Sequence, residues 1–232
     1  ATFLVGGDYR LSTPELKAAL IGGLTAGGAR VSDLGALPTP AFYFALAHEK
    51  ATGGCMVTAS HNPAKYNGVK FMLGDRPVTR ETIDRLQRAV EGGTYREGEG
   101  AVAPLEVKDG YLADLGKRVY LERPLRVALD AGNGAMWDMA PEAFRRAGCE
   151  VIPVFCEPDG RFPNRSPNPA DYEVLTALRE TVVRERADFG AAFDGDGDRV
   201  VFVDEMGAPL ASERAMALFI RHLLKDRPAP VV

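Results

Sequence analysis

Apolar runs and helical spacings alternate along the chain. Phe3–Val5 is a short apolar run that reads as a strand, and Arg30–Leu34, Cys55–Thr58 and Val69–Leu73 repeat the pattern. Between the first two, Leu16, Leu20 and Leu24 recur every four residues, which predicts a helix burying that face. Ser12-Thr13-Pro14-Glu15 marks its start. Proline suits a first helical turn, so Thr13 is the expected cap, although Ser12 and Glu15 also have capping-box spacing. A second helix is expected over Thr39–Glu49, and Ile83, Leu86 and Val90 mark a third. Glu91 to Pro104, rich in Gly, Glu and Ala, reads as loop and linker.

After a short helix around Lys108–Tyr120 the order begins again. Arg126–Leu129 is a strand, Ala135–Ala147 a helix stopped by Gly148, and Glu150–Phe155 a strand. Val174, Leu175, Leu178 and Val182 line a helix, and Phe189–Phe193 and Val200–Val203 are strands flanking a polar loop. The order β-α-β-α-β-loop-β therefore occurs twice. The expected fold class is α/β: two similar three-layer α/β/α units with mixed, mostly parallel four-stranded sheets. The connection before each fourth strand is too short for a helical crossover, so strand four is expected antiparallel. The expected units span residues 1–105 and 106–208. A helix over Ser212–Lys225 then opens a third, truncated unit at 209–232. Both ends read as cut: the first strand is entered abruptly, and Pro228–Val232 stops where a strand would begin.

Composition narrows the function. At 46% hydrophobic and 26% charged residues, the chain has the makings of a globular core. A net charge of -4 without a polybasic cluster argues against nucleic acid and an anionic membrane, leaving a small molecule as the expected partner. No run approaches the ~18 apolar residues of a membrane span, and the start lacks the basic region of a signal peptide. Cys55, Cys149 and Cys156 are odd in number and form no C-x-x-C pair. That suits buried thiols in a reducing cytoplasm rather than disulfides or a zinc site.

The most polar loops occupy the same place in both repeats. The second, Asp194-Gly195-Asp196-Gly197-Asp198-Arg199, sets three carboxylates at alternate positions, with glycines that let the backbone turn them together. Such a cluster suits a hard divalent cation, Mg²⁺ or Ca²⁺. A solvated acidic turn is the bland alternative, but strongly apolar strands flank the loop. Glu205 stands twelfth from Asp194, as in an EF-hand, yet Arg199 replaces the required glycine and a strand runs through the loop. The first loop runs from Thr58-Ala59-Ser60-His61-Asn62-Pro63 to Tyr66-Asn67-Gly68-Val69-Lys70. Ser60 can serve there as nucleophile or phosphate carrier, or merely as a turn-capping serine. A serine hydrolase is disfavoured, because the G-x-S-x-G elbow is absent. His61 is equally readable as a turn residue, and Lys70 as a solvated strand residue. His48 and His222 fall on helices and receive no function. Asp130-Ala131-Gly132-Asn133-Gly134 reads as a tight β-to-α turn, with a nucleotide site as a weaker alternative because Trp137 replaces the third glycine.

Together the two loops resemble those of the α-D-phosphohexomutases. Thr-Ala-Ser-His-Asn-Pro followed by Tyr-Asn-Gly-Val-Lys looks like the family's phosphoserine loop, in its phosphomannomutase/phosphoglucomutase version. Asp-Gly-Asp-Gly-Asp-Arg looks like its metal loop. Gly6–Ser12, Leu37–Pro40, Asp130–Gly134 and Asp159–Asn164 occur in the expected order. The resemblance implies that Ser60 carries the phosphoryl group. Asp194, Asp196 and Asp198, with a phosphoserine oxygen at Ser60, would hold Mg²⁺. Arg199 would contact phosphate, Lys70 would exchange a proton with the sugar hydroxyl, and His61 would assist. Arg10, Asn62 and Lys70 would bind substrate, while Gly7 replaces an arginine found in many relatives. Mg²⁺ and a hexose 1,6-bisphosphate are the implied cofactors and a phosphosugar the partner. Cations around Lys70 would lower its pKa. The family has four domains, of which the chain matches two and the start of a third, so negligible turnover is expected from it alone. Phosphoglucosamine mutase activity and a non-catalytic Ca²⁺-binding or nucleotide-binding module are the alternatives.

Overall fold

In the computed structural model, residues 1–225 and Ala229 are described, apart from Asp75 and Thr94. The first sheet is built from β1 (Thr2–Gly7), β2 (Arg30–Ala36), β3 (Gly53–Val57), β4 (Val69–Leu73), β5 (Arg76–Pro77) and β6 (Ala101–Pro104). Its order is β5-β4-β3-β1-β2-β6. β1 pairs in parallel with β2 and β3, whereas β4 runs antiparallel to β3, as the short serine loop requires. The second sheet contains β7 (Arg126–Asp130), β8 (Glu150–Val154), β9 (Phe189–Phe193) and β10 (Val200–Val203) in the order β10-β9-β7-β8. β10 is its antiparallel strand. Helices α1 (Thr13–Ala26), α2 (Thr39–Glu49) and α3 (Arg80–Gly92) belong to the first repeat. α4 (Lys108–Gly116), α5 (Met139–Arg146) and α6 (Thr176–Glu185) belong to the second, and α7 (Ser212–Leu223) follows it.

The two mostly parallel sheets with an antiparallel fourth strand match expectation, but the first sheet has six strands rather than four. The segment read as linker supplies β6, which pairs in parallel with β2 from Arg30↔Ala101 to Asp33↔Pro104. All four of its residues are exposed, so no apolar alternation betrays it. Its edge position also tolerates Pro104. The expected buried face of α1 is another correction. Leu16 is 42% exposed, and Thr13 is the only buried residue of that helix. Ser12, not Thr13, is the N-cap, and it makes no side-chain capping bond. Thr13 instead donates its hydroxyl to Asp8. α5 begins four residues later than expected, after a turn, while Gly148 with φ +91° does follow its C-cap. α4 stops at Gly116, and the helix read around Val174 opens as a 3-10 turn over Tyr172–Leu175. Cys55 is buried, but Cys149 and Cys156 are only half-buried. The strand expected at the C-terminal end falls outside the described residues. No helix among the described residues is long and apolar enough to cross a membrane.

One apolar cluster joins the repeats. Leu4, Phe42 and Met56 of the first pack in it with Leu112, Val127, Leu129 and Met139 of the second. A second cluster, with Leu175, Leu178, Val182 and Val203, stays within the second repeat. The shared core fixes the ends of β3 and β9 near each other, where the polar loops emerge.

Candidate active site

The serine and aspartate loops meet directly. Ser60 Oγ donates to Asp194 Oδ2 at 2.7 Å, across 134 positions of sequence. Lys70, on β4 just beyond the serine loop, donates its ammonium to Asp196 Oδ2 and Asp198 Oδ2, both at 2.6 Å. Thr39 opens α2 and points that helix's N-terminus at the aspartate loop. Its N–H donates to the Asp196 carbonyl at 2.9 Å and its hydroxyl to Asp196 Oδ2 at 2.6 Å. The positive end of the helix dipole therefore faces a carboxylate. Gly195 permits the approach: a Cβ there would lie 2.5 Å from the Ser60 carbonyl oxygen.

The three aspartates present oxygens within 4.8 Å of one another. Burial, reinforced by the charge on Asp196, pushes the Asp194 pKa up to about 7. Burial acts against the Asp196 charge too, but bonds from Lys70 and Thr39 outweigh it and bring that pKa below its ordinary value. Burial likewise disfavours the Lys70 ammonium, yet Asp196 and Asp198 prevail and raise its pKa. The expected lowering concerned cations around Lys70; the neighbours it touches here are carboxylates, which act the other way. Asp196 Oδ1 is buried without a hydrogen-bond partner among the described residues. An unpartnered buried carboxylate oxygen in an all-oxygen acidic set fits a hard divalent cation.

The other expected residues fall in three groups. His61 is half-buried, with Nδ1 enclosed and unpartnered among the described residues. Asn62 is exposed, and its amide closes the loop on the Ala59 carbonyl at 3.0 Å. Arg199 is exposed, and its backbone N–H donates to Asp194 Oδ1 at 3.1 Å. Arg10 lies beneath the serine loop. It is 1% exposed, and all five of its guanidinium N–H donors are taken, by Asp8 and by the carbonyls of Ser60, Asn62, Pro63 and Tyr66. In this arrangement four of its donors hold the serine loop.

Sequence reasoning missed the groups beneath the loops. Buried Asp8 accepts from Arg10, Thr13 and Thr58, and Thr58 Oγ1 accepts in turn from the Ser60 N–H at 2.9 Å. In the second repeat Asp130 pairs with Arg165 at 2.8 Å, and Arg165 also holds the carbonyl of Phe193, next to Asp194. The available signal was a lone aspartate at the end of each apolar central strand, Asp8 after β1 and Asp130 closing β7. The Asp130–Gly134 turn is no anion cradle. The N–H groups of residues 131–135 are all engaged, by Val154, Asp130, Phe155, Ala131 and Gly195 in that order.

These features define a two-unit α/β protein whose paired loops join a serine to an acidic, cation-suited triad. The family model for phosphoglucomutase/phosphomannomutase alpha/beta/alpha domain I matches residues 1–97, and that for domain II matches residues 109–207. The chain belongs to the phosphoglucomutase/phosphomannomutase family of α-D-phosphohexomutases. A phosphomannomutase/phosphoglucomutase of Pseudomonas aeruginosa is 39% identical over 224 residues, covering 97% of this chain and 48% of that protein. A phosphoglucomutase of Neisseria gonorrhoeae is 38% identical over 234 residues, covering 100% of this chain and 51% of its own length. The crystal structure of a phosphoglucomutase/phosphomannomutase family protein from Burkholderia thailandensis superposes with a TM-score of 0.93 at 36% identity. It covers 98% of this chain and 52% of its own. The chain thus spans about half the length of the relatives it matches.

Proposed function

We propose that the chain carries the phosphoryl-transfer half of a phosphohexomutase, interconverting hexose 1-phosphate and hexose 6-phosphate of mannose or glucose. The observation that carries this reading is the 2.7 Å bond from Ser60 Oγ to Asp194 Oδ2. It sets a hydroxyl nucleophile against an acidic, cation-suited triad rather than against the histidine of a Ser-His-Asp arrangement. Ser60 is the phosphoryl carrier. In the forward step a sugar hydroxyl oxygen bonds to phosphorus, the bond from phosphorus to Ser60 Oγ breaks, and the hydroxyl proton passes to a protein base. The bisphosphorylated sugar then turns, and its other phosphoryl group returns to Ser60. Asp194, Asp196 and Asp198, with an oxygen of phosphorylated Ser60, would hold Mg²⁺. That ion supplies charge neutralisation for a group carrying close to ~2 negative charges.

Lys70 stands where the two loops meet and is the proposed proton-exchanging group, able to accept a proton once a cation takes up the Asp196 and Asp198 oxygens that now hold its ammonium; His61 and exposed Arg199 are the proposed phosphate contacts. The chain divides at about 105 and 208, on the support of one sheet ending at Pro104 and the other at Val203. At half its relatives' length, the chain alone is expected to load phosphate at Ser60 with negligible turnover.

Intact mass after incubation with glucose 1,6-bisphosphate and Mg²⁺ tests the reading. One added phosphoryl group, mapped to Ser60 and absent in Ser60→Ala, is expected. No uptake, together with Ca²⁺ binding indifferent to Ser60, would leave a cation-binding module instead. A Methanothermobacter thermautotrophicus relative named "Probable phosphoglucosamine mutase" is 37% identical, which keeps an amino sugar in view. Glucosamine 1,6-bisphosphate as the competing donor decides between the sugars.

A further inference from the structure

Arg10 is gripped from outside its own repeat. The loop Asp159–Pro163 belongs to the second repeat, tied there by the Asp159 N–H to the Asn133 carbonyl at 3.0 Å. It closes on itself through the Phe162 N–H to the Asp159 carbonyl and the Arg161–Asp159 ion pair. From that anchor it crosses to the first repeat. The Phe162 ring lies over the Arg10 guanidinium, its centroid 5.1 Å from Cζ, and Phe162 is 8% exposed with φ +51°. At Gly160 any side chain would collide with the Tyr9 carbonyl oxygen and stand 2.8 Å from Arg10 Cα. On the Gly195 side, a Cβ at that glycine would lie 3.4 Å from Arg10 Nη2.

We propose that the Asp159–Pro163 loop is a positioning element for Ser60, acting through Arg10. The guanidinium holds four serine-loop carbonyls with its in-plane donors, so water can reach those bonds only across its faces. Phe162 covers one face by a cation–π contact and keeps that water out. Ser60 itself has φ +51°, a left-handed backbone that a serine does not adopt unaided. Arg10 on the Ser60 carbonyl and Thr58 on the Ser60 N–H hold it there. Because the covering ring comes from the other repeat, Ser60 is correctly presented only while the two repeats are docked. Separation of the repeats would strip Phe162 from Arg10 and loosen the loop. Phosphoryl transfer would then be confined to the docked arrangement, in which Asp194 is also at hand.

The chemical arm of the test rests on the proposed function; the exchange arm does not. Phe162→Leu, which keeps apolar volume but loses the ring face, is compared with Phe162→Tyr, which keeps the face. Amide hydrogen exchange over residues 60–68 should quicken at least tenfold in Phe162→Leu while β7 and β9 keep wild-type protection. The rate constant for Ser60 phosphorylation at saturating glucose 1,6-bisphosphate should fall about tenfold, with half-saturation within twofold. Phe162→Tyr should restore both readouts to within twofold. Unchanged exchange over 60–68 in Phe162→Leu overturns the proposal, as does quickened exchange with an unchanged phosphorylation rate. If wild type takes up no phosphate, the proposed function fails, and the exchange comparison alone decides the coupling.

Discussion

The serine loop and the aspartate loop stand on the same kind of foundation and use it differently. Each sits above a buried arginine–aspartate pair at the end of a central parallel strand: Arg10 with Asp8 below the first, Arg165 with Asp130 below the second. Arg10 gives four of its five donors to carbonyls of the loop above, fixing the serine loop along its length. Among the described residues Arg165 reaches the aspartate loop only at the Phe193 carbonyl, with other donors on the Ser166 and Asp130 carbonyls. The aspartate carboxylates are partnered mostly by the first repeat, through Ser60, Lys70 and Thr39, with the Arg199 N–H on Asp194 from their own. One loop is shaped from within its own repeat and covered by the other. The other loop is shaped by glycines and depends on its neighbour for partners. Docking of the repeats therefore serves both loops, for opposite reasons.

That contrast can be broken most forcefully at the arginines. Arg10→Ala strands buried Asp8, and breaking a buried pair costs about 3–5 kcal/mol. Urea denaturation should place Arg10→Ala at the high end and Arg165→Ala lower, because Arg165 leaves fewer loop carbonyls unmade. Equal losses would mean that the carbonyl bonds add nothing. Next comes the contact itself. Gly195→Ala puts a methyl 2.5 Å from the Ser60 carbonyl oxygen, and such crowding costs about 1–3 kcal/mol. Its signature is a weakened link between the loops, seen as faster exchange on both sides. Wild-type exchange there would show that the loops are independent.

A smaller effect separates the carboxylates. Asp196→Asn should weaken Mg²⁺ binding about tenfold, roughly 1.4 kcal/mol, by removing charge at a buried oxygen set. Asp198→Asn should weaken it less, since Asp198 is partly solvated. Calorimetry giving the reverse order would move the centre of the site outward. The mildest contrast is between thiols. Burial pushes Cys55 in the first repeat up to about 11, so its reactive thiolate is scarce at pH 8 and increases as pH rises toward that value. Cys149 is raised by burial as well, but it is only half-buried. Mass-mapped alkylation at pH 8 should label Cys149 well before Cys55; the opposite order would mean that the first repeat opens more readily than the second.

Sequence pattern carried far where residues act locally. Apolar strands, the short loops before β4 and β10 and the spacing of Asp194, Asp196 and Asp198 are each set by neighbours along the chain, so they are readable from it. β6 escaped because an exposed edge strand needs no apolar alternation; only pairing with β2 defines it. The leucines of α1 misled in part for the complementary reason: the spacing states which residues share a face, not how fully it is covered, and here Leu20 and Leu24 are half-buried while Leu16 is exposed.

Arg10 shows the same division at the site. Its charge and its place before α1 are in the sequence, and both suit a substrate contact. Its use is not, because five donors are assigned by which carbonyls lie within reach after folding. The sequence by itself determined the chemistry available: a serine, three clustered carboxylates, a lysine and glycines that let backbones approach. Tertiary structure alone decided the partners, since Ser60 and Asp194 stand 134 positions apart. Hydrogen bonds act over about 3 Å, and only the shared core that docks one repeat on the other brings such distant groups within that range.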